Sequence, residues 1–183
     1  MKKMIKKEII DTEVNQSNKI DNKPWYKRWY IITTIILFFV MMIFNYNFAF
    51  ILVNGDSMNP NYENGNLVFA DKQYEDLYRF DVVVINSDNA DQILIKRIIG
   101  LPGDTIEYVD NQLFVNGEYV EDMYGSGMTN NFKIVVEDNS YFCLGDNREN
   151  SYDSRRYGLF TKDEIMAKVQ GRRYVKLGAN PLY

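Results

Sequence analysis

Two side chains 39 positions apart, Ser57 and Lys96, carry the hydrolytic chemistry open to this sequence. Ser57 stands in "NGDSMNPNYENG", a turn-rich stretch directly behind a long apolar run. Lys96 interrupts "QILIKRIIG", a run of branched apolar residues. A serine hydroxyl is a weak nucleophile until a base takes its proton. A lysine can be that base only when neutral, and at its ordinary pKa roughly one amine in a few thousand is neutral at pH 7. Burial among apolar residues penalises the ammonium form and raises the neutral fraction by orders of magnitude. On these two residues alone the plainer readings stay open: a loop serine serving its turn, and a strand lysine whose charged end reaches water.

The rest of the composition narrows the choice. There is no histidine, which removes the Ser-His-Asp triad, the Cys-His dyad and every histidine-dependent metal site. A single cysteine, Cys143, allows no intramolecular disulfide and reads as a small buried apolar residue. No C-x-x-C occurs, so no structural zinc is expected, and no residue pattern calls for another metal or a cofactor. Gly55-Asp56-Ser57-Met58-Asn59 has asparagine where the nucleophile elbow needs glycine. Ser-x-x-Lys, the P-loop, Gly-x-Gly-x-x-Gly and the EF-hand loop are all absent. A base for Ser57 must therefore be something other than imidazole.

The elements that would position these residues divide the chain in three. No charged residue occurs from Trp29 to Gly55. A membrane span needs about 20 largely apolar residues, and a helix continued to Val53 would reach ~37 Å, longer than the hydrocarbon core. The sequence thus predicts a basic tail over 1–28, an uncleaved transmembrane helix over 29–47 and an extracytoplasmic domain over 48–183, with "FAFILV" as an interfacial or strand segment. No A-x-A site follows the apolar run, which argues against a removable signal peptide. Trp25, Tyr26, Trp29 and Tyr30 cluster at its start, where amphipathic rings favour the headgroup level.

Residues 1–28 hold 8 Lys/Arg and 4 Asp/Glu, and the chain as a whole 21 and 25. The remainder carries 13 and 21, a net charge of −8. The basic tail is therefore expected in the cytoplasm and the acidic part outside the cell membrane. An acidic exterior also argues against nucleic-acid binding.

That exterior part reads as mainly β. "NLVFA", "DVVVIN" and "QILIKRIIG" are short branched runs bounded by turn residues. "TIEYV" and "LFVNG" read as a hairpin, "FKIVV" and "YFCLG" as further strands, and "GRRYVKL" as the last. One helix is expected from Thr161, which has Glu164 three residues later in a capping-box pattern. "EDMYGSGMTNN" reads as a polar loop. A β-dominated domain with one partly closed sheet is the expectation.

Three separated stretches decide between the readings. "GDSMNP" resembles the nucleophile motif of type I signal peptidases, the membrane-anchored serine proteases that remove signal peptides. "KRIIGLPGDTIEY" resembles their general-base motif, and "YFCLGDNRENSYDSRRYG" their Gly-Asp-Asn…Ser-x-Asp-Ser-Arg motif. The resemblance runs from about residue 30 to 173, in the same order, and is nearest to the compact Gram-positive members. It implies Ser57 as acyl-forming nucleophile, Lys96 as base and Ser151 as the hydroxyl that orients the amine. It also implies an Asp153–Arg155 ion pair and a framework of Met58, Arg97, Asp146, Asn147 and Ser154.

The implied oxyanion donors are the Ser57 N–H and, in place of a serine found in some members, the Gly55 backbone. The implied substrates are secretory preproteins ending their signals in Ala-x-Ala, met beside membrane lipid. Asn61 and Tyr62 depart from the small and apolar residues usual in the family. Two other readings remain: a self-cleaving Ser-Lys protease of the repressor type, and a catalytically silent anchored relative that only binds.

Overall fold

The computed structural model describes residues 28–87, 89–90 and 92–176, with the side chains beyond Gly171 left aside. The cytoplasmic tail expected over 1–28 lies outside them except for Arg28. The chain divides into two units, one ending at Phe44 and one beginning at Asn45.

Helix α1 (Trp29–Asn47) contains no buried and no charged residue. Its 19 residues rise by about 28 Å, close to the thickness of a bilayer's hydrocarbon core. Its two threonines do not spoil the apolar surface, because Thr33 and Thr34 Oγ1 donate back to the Tyr30 carbonyl at 3.0 and 2.6 Å. The helix is thus long and apolar enough to cross a membrane.

The second unit is β-rich. Among the described residues eleven strands form two sheets rather than the single partly closed sheet expected. The larger contains β1 (Phe48–Leu52), β2 (Asn66–Asp71), β3 (Val82–Ser87), β4 (Gln92–Gly100), β9 (Ser140–Leu144), β10 (Phe160–Thr161) and β11 (Ile165–Lys176), in the order β1-β2-β11-β3-β4-β9-β10. The smaller contains β5 (Thr105–Val109), β6 (Gln112–Val115), β7 (Glu118–Val120) and β8 (Phe132–Val135), in the order β7-β6-β5-β8.

Alternation explains why the large sheet is covered on both faces. Val82 and Val84 pack in one cluster with Val53, Met58, Tyr62 and Ile95, while Val83 and Ile85 pack in another with Leu94, Ile98 and Cys143. A third cluster joins the two sheets: Ile99, Phe142 and Leu144 meet Ile106, Tyr108, Leu113 and Val115. Gly100 makes that junction possible. A Cβ there would lie 2.7 Å from Ile106 and 2.8 Å from Val136.

The helix expected after Thr161 amounts to one 3₁₀ turn, Lys162–Glu164, before β11 begins. Its capping box is present, but Ile165, Ala167 and Val169 alternate into the cores, and that two-residue period selects strand. Helix α2 (Ser154–Tyr157) is a single turn capped by Asp153 and is too short for periodicity to reveal.

Candidate active site

Two segments of the larger sheet bring Ser57 and Lys96 together. The chain leaves β1, turns at Gly55 (φ 90°) and presents Ser57 from the turn that follows. The positive φ is why glycine stands there. Lys96 lies midway along β4, paired with Val83 of β3. Its Nζ is 2.7 Å from Ser57 Oγ, in hydrogen-bond contact.

The lysine is 2% exposed, and desolvation pulls its pKa down from 10.5 to about 8. Asp153 and Asp146 pull the other way and Arg155 works with the burial. An amine so placed is neutral often enough near neutral pH to take a proton from the hydroxyl beside it.

A cleft of about 510 Å³ runs past the pair, between residues 50–58 on one side and 92–96 on the other, with 149–152 at its end. The strand edges that border it are unpaired on that side. β1 is an edge strand, and β4 pairs with β9 only from Arg97 onward. An extended peptide can therefore find main-chain partners on both walls.

Ser151 lines this cleft, yet its Oγ is buried with no hydrogen-bond partner, so the bond expected to the lysine amine is not formed. The amine's contact goes to Ser57 instead. The second expected oxyanion donor has a partner of its own. The Gly55 N–H donates to Asn64 Oδ1 at 3.0 Å, because the turn folds back on residues 63–66. The Ser57 N–H has no acceptor among the described residues.

The remaining expected residues form the frame. Arg97, next in β4, projects to the opposite face from Lys96. It holds Asp146 through two bonds, Nε to Oδ1 at 2.8 Å and Nη2 to Oδ2 at 2.6 Å. Asp153 accepts from the Gly145 N–H at 3.0 Å and from Arg155 Nε and Nη2 at 2.9 and 2.8 Å. Ser154 Oγ accepts from the Cys143 N–H at 2.9 Å. The Asn147 N–H donates to the Ser57 carbonyl at 3.0 Å, and its Nδ2 to the Asp56 carbonyl at 3.2 Å. Met58 is buried in the first core cluster beneath the turn. Cys143 is fully buried, and burial pushes its thiol pKa up, which keeps it inert.

With a serine, a neutral-prone lysine and a strand-lined cleft in place, comparison with known proteins is decisive. A family model described as signal peptidase, peptidase S26, matches residues 26–174. The chain belongs to the signal peptidase family, peptidase S26. It is 38% identical over 167 residues to a signal peptidase I S of Bacillus subtilis, covering 82% of this chain and 90% of that one. A signal peptidase I of Bacillus amyloliquefaciens is 35% identical, with 82% and 89% covered. The crystal structure of a signal peptidase I from Enterococcus faecalis superposes with a TM-score of 0.50 at 30% identity, covering 54% of this chain and all of that one. Family membership makes the protein a serine peptidase of the signal peptidase I kind, and α1 marks it as membrane-anchored.

Several residues that organise the site are missed by sequence reasoning. Asn61, noted only as a departure, donates to Asp146 Oδ2 at 3.0 Å and to the Tyr124 carbonyl at 2.9 Å. Arg148 is buried against Tyr108 and Asp122 and donates from Nε to the Gly145 carbonyl at 2.9 Å. Gly145 itself is wedged in place, since a Cβ would lie 2.1 Å from Ser151 Oγ and 2.5 Å from the Ser57 carbonyl. The Asp122-x-x-Gly125 spacing, in which Asp122 Oδ1 accepts the Gly125 N–H, is a turn signal that could have singled out part of this loop.

Proposed function

We propose that the protein is a membrane-bound endopeptidase that removes N-terminal signal peptides from secreted preproteins at the outer face of the cytoplasmic membrane. The reading rests on one observation, the 2.7 Å contact between Ser57 and a buried Lys96 in a cleft with open strand edges. Neutral Lys96 takes the Ser57 proton as Oγ bonds to the carbonyl carbon of the residue at −1. The Ser57 N–H donates to the oxyanion of the tetrahedral intermediate. The C–N bond then breaks, and the ammonium gives its proton to the departing amine. Water, deprotonated in turn by Lys96, attacks the ester, and the signal peptide leaves with a new carboxylate while Ser57 regains its proton.

Ser151, buried in the same cleft with a spare hydroxyl, would receive the amine once Ser57 is acylated. The basic tail would lie in the cytoplasm and the domain from residue 48 outside. Preproteins with Ala-x-Ala ends would meet this domain beside the lipid, the shared membrane reducing the entropic cost of encounter. The test is cleavage of a purified preprotein by detergent-solubilised wild type and Ser57→Ala. Product at the Ala-x-Ala bond from wild type alone is expected. Equal product from both would assign the activity to another nucleophile.

A further inference from the structure

Tyr124 lies in a loop none of whose residues lines the cleft beside Ser57 and Lys96, yet it meets both segments that carry them. Its ring lies under the guanidinium of Arg97, with Cζ 3.9 Å from the ring centroid. Its carbonyl accepts from Asn61 Nδ2 at 2.9 Å, and the same Nδ2 donates to Asp146 Oδ2 at 3.0 Å. Arg97 follows the base in β4, and Asn61 closes the turn that begins at the nucleophile. One residue thus bears on the anchor of each.

The loop is itself held firmly. Asp122 pairs with buried Arg148 and accepts from the Tyr108 hydroxyl at 2.6 Å. Gly125 packs flat on the Arg148 guanidinium, where a Cβ would lie 2.4 Å from Nη1. The Ser126 N–H donates to the Asp146 carbonyl at 2.7 Å, and its Oγ to the Asn59 carbonyl at 3.1 Å. On the outer side Tyr124, Phe80, Asn61 and Arg97 line a cavity of about 270 Å³. Loss of the ring would deepen that cavity past Arg97 toward Asp146, admitting water to an ion pair whose side chains are 6% and 0% exposed.

We infer that Tyr124 is a positioning residue of the peptidase, holding the Ser57 turn and the Lys96 strand in register through Asn61 and the Arg97–Asp146 pair. The inference rests on the Ser57–Lys96 reading above. Small displacements of reacting groups are costly, up to about a hundredfold for 1 Å. Tyr124 does not line the cleft beside Ser57, so its effect falls on turnover rather than on binding.

The experiment measures kcat and KM for a preprotein with the full-length wild type, Tyr124→Phe, Tyr124→Leu and Tyr124→Ala, with thermal melting of each. Ser57→Ala serves as the control for the underlying reading. The phenyl ring keeps the face under Arg97, so Tyr124→Phe is expected to retain near wild-type kcat. Tyr124→Leu keeps bulk without the π face and should lose roughly tenfold or more in kcat with KM within about twofold. Tyr124→Ala should lose at least as much, and if it fails to fold, the Phe–Leu pair carries the test. Wild-type kcat in Tyr124→Leu, a Phe variant as impaired as Leu, or a loss confined to KM would each overturn the inference. Ser57→Ala retaining activity would overturn the dyad reading instead.

Discussion

Lys96 bears a cost that the proposed chemistry requires. Its folded-state pKa, about 8, lies below the ordinary 10.5, so the unfolded chain holds the proton more tightly. Folding is therefore opposed below about pH 8, by on the order of 3 kcal/mol, and the opposition fades as pH rises from there to the unfolded value. Lys96→Met is expected to abolish cleavage yet raise the melting temperature at pH 7, measured by scanning calorimetry on the same preparations. Loss of activity without any gain in stability would place the amine in water. The proposed mechanism needs the neutral amine, so kcat/KM should fall on the acid side with an apparent pKa near 8 and level off above it. A rise continuing to pH 10 would contradict the buried base. Arg155 shields Lys96 from Asp153, whose charge favours the ammonium. Arg155→Gln should move that acid limb to higher pH, with a loss of activity that is largest near neutrality. An unmoved limb would remove Arg155 from the electrostatics of the base.

Between elements, the contacts are set by backbone more than by side chains. The loop after β9 reaches the nucleophile turn through the Asn147 N–H and through the absence of a side chain on Gly145. Gly145→Ala must push Ser151, the Ser57 carbonyl or both away, since atoms 2.1 and 2.5 Å from a new Cβ cannot stay. A loss of roughly a hundredfold in kcat is expected while the melting transition remains cooperative. Near-normal turnover would mean that the loop yields without moving the serine. Gly100 offers the contrast, because its neighbours Ile106, Val136 and Phe142 belong to the core between the sheets. Gly100→Ala should cost about 1–3 kcal/mol in chemical denaturation and leave Lys96's pH profile in place among the molecules that fold.

At the scale of the whole chain, the unit from Asn45 onward has its own apolar clusters and holds every residue of the site. A chain lacking residues 1–44 is expected to cleave a soluble peptide with kcat close to that of the full protein. It should process a membrane-inserted preprotein at least about tenfold more slowly, because the shared membrane no longer concentrates the partners. Equal rates on both substrates would deny the anchor any part in the encounter. The sequence by itself determined the apolar helix, since an uncharged run of that length has no other economical solvent, and most of the strands, whose branched runs end at turn residues. It also pointed to Ser57 and Lys96 by removing every histidine-based alternative, and three motifs resembled those of the family. Only the tertiary structure decided that a lysine in an apolar strand is buried rather than reaching water. Burial depends on what covers a strand, and here the cover comes from a turn 39 residues away. The fate of the Gly55 N–H, the free Ser151 hydroxyl and the reach of Tyr124 were invisible for the same reason: each depends on partners distant in sequence or on the path of a turn, which neither periodicity nor spacing records.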